Sequence, residues 1–312
     1  MKNTLLSLSG VIVIALIIAT VIYERSSNEV TYPHLVQLNN VLDKQKSQNE
    51  PERPQSEQLH PINMNDTISY TLQNNELNIT YNKGKDWIKA PITKDQLFAG
   101  EYNGDKQELI ENSYILTEDR AAFLYLNEER ILLTYSLDQG NTWEEAVVTE
   151  PFPSMRFRKV DFLTDHFGYA IITGDRTMSQ ESSHVFLTQD GGLSWNETNT
   201  SGVTRLISDG GFLDESTGFL SFGTINPEKP DLYVTQDAGS TWSEATIILP
   251  ENYNEIFVSA EIPEKEGNHL AILVNQGPNG DYEGGKVKGK FISKDNGTTW
   301  EFLKEVQPNE TE

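Results

Sequence analysis

The chain has 312 residues, no cysteine and a formal net charge of −23, nearly all of which falls after His60. The missing cysteines exclude a disulfide framework and a lipid-anchored lipoprotein. Such an acidic domain repels nucleic acid and anionic lipid headgroups, so neither is expected as a partner, and its charge disfavours anionic substrates. Solubility of an exposed domain is the simplest reason for this charge.

Residues 5–23 form a nearly unbroken apolar run of the length that spans a bilayer. We expect residues 1–4 to be cytoplasmic and residues 5–23 to be an uncleaved transmembrane signal-anchor. The positive charge of Lys2 precedes the run, whereas the opposite charges of Glu24 and Arg25 after it balance each other, which favours a cytoplasmic N-terminus. A cleaved signal peptide is the alternative, although residues 17–19 match a cleavage site poorly. The sequence thus predicts a single-pass protein of the cell membrane, of Gram-positive type, with an extracytoplasmic C-terminal domain.

Residues 24–60 are predicted to be a stalk between this anchor and the rest of the chain. Its second half, from residue 47, is rich in Gln, Glu and Pro and has almost no apolar side chain, which is typical of a disordered spacer. In its first half, apolar residues are spaced for one side of a short helix. That segment can be interpreted either as a marginal juxtamembrane helix or as a partner-binding coiled coil.

All five tryptophans occupy the last position of one repeated octapeptide. Its copies are TYNKGKDW, SLDQGNTW, TQDGGLSW, TQDAGSTW and SKDNGTTW, which end at Trp87, Trp143, Trp195, Trp242 and Trp300. The pattern is Ser/Thr-x-Asp-x-Gly-x-x-Trp, and Asn82 replaces the aspartate in the first copy. The copies recur about every 50 residues, a period typical of propeller blades or another repeat array.

Each copy is predicted to be a hairpin turn, because an apolar alternating run precedes it and a second short strand follows it. The glycine supplies a positive φ angle, the aspartate accepts hydrogen bonds from turn N–H groups, and the tryptophan is a buried apolar plug. This structural role is predicted for Asn82, Gly84, Trp87, Asp138, Gly140, Trp143, Asp190, Gly192, Trp195, Asp237, Gly239, Trp242, Asp295, Gly297 and Trp300. A calcium loop is the alternative, but one carboxylate per copy is too few, so no metal or cofactor is expected.

The octapeptide resembles the Asp-box, or BNR repeat, of sialidases, other glycan-active propellers and sortilin-like proteins. The resemblance covers about residues 61–307 and leaves residues 308–312 as a disordered C-terminus. It implies an all-β fold, a β-propeller whose boxes lie on the c–d turns of four-stranded blades and act structurally, away from the active face.

A second repeat supports four strands in each unit. Residues 162–169 match residues 212–219, and a weaker copy covers residues 115–123. Each copy precedes its box by the distance expected of an a–b hairpin between two inner strands. We therefore predict about five four-stranded blades in a monomeric propeller, since residues 35–61 are too polar for a sixth. The first unit is short at its start, so ring closure would draw a strand from the C-terminal segment or the linker.

The resemblance invites a comparison with the sialidase active site. That family uses three arginines, the first in an Arg-Ile-Pro motif, together with a Tyr/Glu nucleophile pair and an Asp acid/base. No Arg-Ile-Pro occurs here, and Arg130 before a c strand and Arg120 in an a–b turn are both predicted to lie away from the active face. No metal-ligand spacing of histidines, nucleophile elbow, phosphate loop or dinucleotide fingerprint is present. We therefore expect no enzymatic role, and a glycosidase if there is one.

The connections opposite the boxes hold the candidate binding residues, because loops on a rigid scaffold carry function. Residues 151–158 interleave aromatic side chains with the densest basic pair of an acidic domain, and residues 173–183 and 277–289 form long b–c loops. The predicted ligand- or partner-binding residues are Arg156, Phe157, Arg158, Arg176, Arg205, Asp281 and Tyr282. For the arginines of the first segment, internal ion pairing is the competing role.

These observations predict a non-enzymatic, membrane-tethered propeller that binds, scaffolds or assembles another envelope or membrane protein. A glycan-binding or glycan-cleaving surface protein is the alternative. The two differ in what the binding face needs, since a glycan site requires several aromatic side chains facing one pocket. A protein-binding face can instead be broad and flat.

Overall fold

The structure is a computed structural model that describes residues 59–177, 180–223 and 227–307, and within these ranges the strands form five sheets in chain order. The first sheet contains β1 (Ile62–Asn63), β2 (Ser69–Thr71), β3 (Glu76–Thr80) and β4 (Ile88–Thr93). The second contains β5 (Tyr114–Leu116), β6 (Ala121–Asn127), β7 (Arg130–Ser136) and β8 (Glu144–Thr149). The third contains β9 (Arg158–Phe162), β10 (Gly168–Thr177), β11 (Gln180–Thr188) and β12 (Asn196–Glu197). In each of these sheets the four strands, called a to d below, are neighbours in the order of the sequence.

The fourth sheet repeats this plan with β13 (Leu206–Phe212), β14 (Gly218–Gly223), β15 (Asp231–Thr235) and β16 (Ser243–Glu244). The next strand along the chain, β17 (Thr246–Ile248), leaves the fourth sheet and pairs in parallel with the last strand of the fifth. The fifth sheet has β18 (Phe257–Ala260), β20 (His269–Gln276), β21 (Lys288–Ser293) and β22 (Thr299–Val306) as its a to d strands. A short strand, β19 (Glu264–Glu266), pairs with β20 beside this path.

Helical structure is short in the described residues. One α-helix, α1 (Lys94–Leu97), follows the first sheet and begins with a capping box between Thr93 and Gln96. The other helical segments are single 3-10 turns at Gln73–Asn75, Glu251–Tyr253 and Tyr282–Gly285. No helix in the described ranges has the length and apolar character needed to cross a bilayer. The predicted anchor at residues 5–23, nearly all of the stalk and the tail at residues 308–312 lie outside the described residues.

Each repeated octapeptide forms the turn between the c and d strands, as predicted. In the third sheet the Thr188 hydroxyl accepts the Gly192 N–H at 2.9 Å and donates to the Asp190 carboxylate at 2.8 Å. Asp190 in turn accepts the Ser194 N–H at 2.9 Å, and the Trp195 indole N–H donates to the Gly192 carbonyl at 3.1 Å. These bonds lie within the octapeptide itself, which explains why the same residue types recur.

The turn requires two consecutive residues in the left-handed region. In the third copy these are Gly191 and Gly192, with φ of 79° and 104°. In the fourth copy Ala238 adopts φ of 56° before Gly239 at 77°, so the first of the two positions tolerates a side chain. A side chain at the second position would be strained by φ and would also collide, since a Cβ on Gly239 would lie 2.5 Å from Thr198. The invariant glycine of the pattern is thereby explained.

Four apolar clusters join consecutive sheets and hold the array together. Each cluster combines buried side chains of one sheet with those of the next. The tryptophan of a box packs against the cluster that its sheet shares with the preceding sheet, as Trp143, Trp195, Trp242 and Trp300 all do. The prediction that these tryptophans are buried plugs is correct in full only for Trp300, which is 0% exposed, while the other four are half-buried.

The apolar series changes at the fifth sheet. Three residues before the box hydroxyl, the c strands of the first four sheets carry Leu77, Leu133, Val185 and Leu232, all buried. The fifth sheet has Lys290 at this position, and its ammonium pairs with Glu266 of β19 at 2.6 Å. Among the described residues no apolar cluster combines the fifth sheet with the first, and the first sheet takes all four of its strands from residues 62–93. The expected contribution of a C-terminal strand to the first sheet is therefore not found there.

Candidate functional site

The box turns and the a–b turns lie at one end of each sheet, because antiparallel strands alternate in direction. The b–c turns and the d–a connections lie at the other end, which we call the opposite face. Arg130 begins the c strand of the second sheet and therefore belongs to the opposite face. The prediction that Arg130 lies away from that face is wrong, since the start of a c strand is its b–c end. Arg120 does lie at the box end, where its guanidinium donates to the Gly191 carbonyl at 3.0 Å.

Arg156 makes an internal ion pair on the opposite face. Its Nε donates to Glu181 at 2.6 Å, and one terminal nitrogen pairs with the second oxygen of the same carboxylate. That nitrogen also donates to the Ile207 carbonyl at 3.0 Å, while the Ile207 N–H donates to Glu181 at 2.9 Å. The Glu181 side chain is completely buried, so this arrangement joins β11 of the third sheet to β13 of the fourth.

Arg158 lies in the interior and is 2% exposed. Its guanidinium donates to the carbonyls of Leu97 and Ala99 at 2.9 and 2.5 Å, and no carboxylate of the described residues accepts a hydrogen bond from it. Burial lowers the pKa of Arg158 to about 10. The residue therefore holds the connection after α1 against the third sheet, a position from which its side chain does not reach a partner at the surface.

Phe157 and Arg176 take intermediate and exposed positions near this network. Phe157 is half-buried against the cluster between the third and fourth sheets, and its N–H donates to the Thr173 hydroxyl at 3.1 Å. Arg176 lies at the surface, with its guanidinium 3.8 Å from the Glu101 carboxylate. Among Arg156, Arg158 and Arg176, the last therefore has the most exposed side chain.

Arg205 lines a cavity of about 440 Å³ on the same face. Its guanidinium forms a two-pronged ion pair with Asp231, one bond of which is 3.0 Å long, and this pair raises the pKa of Arg205. Phe222 and Tyr233 also line the cavity. Their rings are perpendicular and pack edge to face, with a centroid distance of 5.6 Å. The cavity therefore combines two aromatic rings with an arginine whose charge is already balanced.

Asp281 and Tyr282 line a second cavity, of about 380 Å³, formed by the loop before β15, the segment before β18 and the loop between β20 and β21. The Tyr282 hydroxyl donates to Glu305 at 2.7 Å, which raises the pKa of Tyr282 to about 12. Glu228 and Glu255 lie at the same cavity, on the other two segments. We call this the acidic cavity, because none of the described residues that line it is basic.

The structure therefore divides the predicted site residues among separate places. The Arg156 network, the Arg205 cavity and the acidic cavity all lie on the opposite face, and the last two share Pro227 and Glu228 in their walls. Sequence reasoning missed the carboxylate partners Glu181 and Asp231. It also missed Glu255 and the other residues of the acidic cavity that lie outside residues 277–289. The loops before β15 and β18 have an ordinary composition, so only their position between two long connections could have indicated that they belong to a binding site.

Histidine and carboxylate pairs occur without forming a metal site. His184 contacts Glu197 at 2.7 Å and His269 lies 3.8 Å from Glu266. In the described part of the chain, no group of three or more His, Asp or Glu side chains is arranged to hold a metal ion.

Several solved structures are similar to this chain at low sequence identity. The GH74 enzyme of Niastella koreensis is 17% identical with a TM-score of 0.41, over 78% of this chain and 37% of that protein. The NanB sialidase of Streptococcus pneumoniae is 16% identical with a TM-score of 0.36, over 64% and 32%. A protein of unknown function from Dyadobacter fermentans is 13% identical with a TM-score of 0.38, over 77% and 70%. The chain thus spans about a third of the length of the two enzymes.

No curated protein has a significantly similar sequence. The model of one protein family, described as the DUF6242 beta propeller domain, matches residues 39–270, which is most of the chain. The matched region contains the first four sheets and their boxes, together with the beginning of the fifth sheet. The chain therefore belongs to the DUF6242 beta-propeller family.

Proposed function

We propose that this protein is a membrane-tethered, extracytoplasmic propeller of five blades that binds a protein partner through its opposite face and catalyses no reaction. Five blades are supported by the five sheets, each with one box between its c and d strands. The tether is supported by the apolar run at residues 5–23. The partner would be another protein of the cell envelope or membrane.

The observation that carries this proposal is the charge arrangement of the opposite face. Arg156 and Arg205 are paired with carboxylates, and Arg158 is buried against backbone carbonyls. These guanidinium groups are therefore engaged within the domain and do not form a cluster that could bind a substrate carboxylate. The exposed charged side chains that line the acidic cavity are instead carboxylates, which suit a positively charged protein surface.

A glycan ligand is the second candidate, and the Arg205 cavity is the observation that favours it. Tyr233 is a half-buried aromatic ring in the lining of this cavity, packed on the buried Phe222, and aromatic rings are groups on which sugar rings stack. The acidic cavity has one aromatic side chain, Tyr282, whose hydroxyl already donates to Glu305. The two candidate functions thus belong to different cavities and can be tested by different variants.

The test blocks one face at a time in the native membrane. The chain contains no cysteine, so Asn279→Cys on the opposite face and Glu215→Cys on an a–b turn each introduce a single attachment point for a polyethylene glycol maleimide. Crosslinking and capture of the full-length protein should recover a protein partner from wild type and from modified Glu215→Cys, but not from modified Asn279→Cys. Equal recovery from both modified variants would contradict the proposal.

For the glycan candidate, the full-length protein and its Tyr233→Ala variant should be compared on a glycan array. Binding of a glycan by wild type that is lost in Tyr233→Ala would favour that function. Retained capture of a protein partner by the same variant would show that the two activities are separate.

A further inference from the structure

The acidic cavity has an apolar floor and an acidic rim. Pro227, Ile256 and Val258 form apolar parts of its wall, and Val258 is 2% exposed. The exposed carboxylates Glu228, Glu255 and Asp281 come from three separate segments of the chain. None of the described residues that line the cavity is basic, and the neighbouring Lys229 pairs with Glu244 instead, so the three carboxylates favour a positively charged occupant.

A buried acceptor at the wall of this cavity has no donor. Gln276 is 9% exposed, and its side-chain nitrogen donates to the carbonyls of Tyr282 and Val287 at 2.9 and 3.0 Å. Its amide oxygen Oε1 has no hydrogen-bond partner in the described part of the chain. This oxygen lies next to Gly280, because a Cβ added there would be 2.9 Å from it. A buried acceptor without a donor is unfavourable, so a donor placed beside Gly280 would supply the missing hydrogen bond.

We propose that the acidic cavity receives a lysine or arginine side chain of the protein partner. This inference rests on the proposed function and names the chemistry of its contact. Both side chains have an apolar stem that fits a floor of Pro227, Ile256 and Val258, and a head that only donates hydrogen bonds. The head meets acceptors of two kinds, the rim carboxylates and Gln276.

Two other occupants fit this cavity less well. A metal ion needs several carboxylates converging on one point, and no such group is found among the described residues. A sugar needs aromatic faces, whereas Tyr282 is the single aromatic side chain in the described lining. A long cationic side chain suits both features of the cavity, since its stem is apolar and its head is positively charged.

The first test uses Nα-acetyl-lysine amide as a probe of the full-length protein. A water-soluble carbodiimide couples its amine to carboxylates, and mass spectrometry measures the yield at each site. We expect Glu228, Glu255 and Asp281 to be coupled about tenfold more than the exposed box-end carboxylates Glu118 and Glu215, as for a hydrogen-bonded charged group. Ethanolamine, which lacks the stem, should label both groups equally.

Competition identifies the occupant. Nα-acetyl-arginine amide is not coupled by the carbodiimide, so it should protect the three rim carboxylates by occupying the cavity. Maltotriose should not protect them, and protection by this neutral sugar alone would replace the proposal with a glycan site. Equal coupling of rim and box-end carboxylates by the lysine probe would overturn it.

A variant with a lysine built into the wall of the acidic cavity provides an independent test. Ile256→Lys places a lysine at the half-buried wall of the cavity, and this side chain should occupy the site and reduce the preferential coupling by about tenfold. Glu118→Lys introduces the same charge at the box end and should leave the preference unchanged. Persistent preferential coupling in a folded Ile256→Lys protein would contradict the proposal, and the melting temperatures of both variants report their folding.

The outcomes separate this inference from the proposed function. Preferential coupling together with no captured protein partner would contradict only the proposed function. A captured partner whose recovery is blocked at Asn279 but unchanged by Ile256→Lys would contradict only the cavity as the contact. The coupling experiment and the capture experiment can therefore contradict one hypothesis without contradicting the other.

Discussion

Arg156 and Glu181 form a two-pronged ion pair in which the Glu181 side chain is completely buried and the Arg156 side chain is 24% exposed. The same pair binds both backbone groups of Ile207, so it fastens the third sheet to the first strand of the fourth. An arginine held in this way serves the interior of the domain. The ion-pairing role considered for the basic segment is thus the one that the geometry of Arg156 supports.

We predict that Arg156→Ala lowers the free energy of unfolding by about 3–5 kcal/mol, because it leaves the Glu181 carboxylate buried without its partner. Arg176→Ala is the matched control, since the side chains of Arg176 and Glu101 are 39% and 41% exposed and such exposed pairs contribute about 1 kcal/mol or less. Denaturant unfolding measures both. Equal stability of Arg156→Ala and wild type, with loss of partner capture, would restore Arg156 as a contact residue.

Trp300→Ala should destabilise the domain more than Trp242→Ala. Both rings meet a phenylalanine edge to face, Trp300 with Phe219 at 6.2 Å and Trp242 with Phe212 at 6.3 Å. Trp300 is fully buried whereas Trp242 is half-buried, so we expect losses of about 3–5 and about 2 kcal/mol in the free energy of unfolding. Chemical denaturation compares them directly, and equal losses would show that burial does not set the contribution of a box tryptophan.

The boxes should make stability depend on pH in the acid range. Hydrogen bonds from the Ser194 hydroxyl and N–H lower the pKa of Asp190 to about 2, and similar bonds lower the pKa of Asp138 and Asp237. A folded-state pKa below the unfolded value contributes stability that is present above about pH 4 and is lost as the pH falls towards 2. The melting temperature should therefore decrease over this interval.

Asp190→Asn should flatten part of that decrease while lowering the melting temperature at neutral pH. The matched control is Asp119→Asn, which changes an exposed turn aspartate whose carboxylate accepts no hydrogen bond within the described residues. Thermal unfolding followed at several pH values separates the two variants. An identical acid profile for Asp190→Asn and wild type would refute the contribution of this box.

The N-terminal segment should keep the mature protein in the membrane. If residues 5–23 are an uncleaved anchor, mass spectrometry of the membrane-bound protein should find Met1 or Lys2 at its N-terminus. Recovery of a soluble form that begins shortly after Ala19 would instead identify a cleaved signal peptide.

The sequence by itself determined the repeating unit. The Ser/Thr and Asp side chains of a box form their hydrogen bonds within the octapeptide, so these positions and the glycine are required wherever the turn occurs. The a–b repeat is equally local, and both turns were found where the pattern placed them. The opposite face was predicted only in outline, because its loops carry no repeated pattern.

Tertiary structure decided which side chains of that face are interior and which remain exposed. Arg156 and Arg158 lie two positions apart, yet one pairs with a carboxylate 25 residues away and the other with carbonyls about 60 residues earlier. No local pattern encodes such partners, because they meet only when consecutive sheets pack. The acidic cavity has the same origin, since Glu228, Glu255 and Asp281 come together only when three loops of two sheets converge.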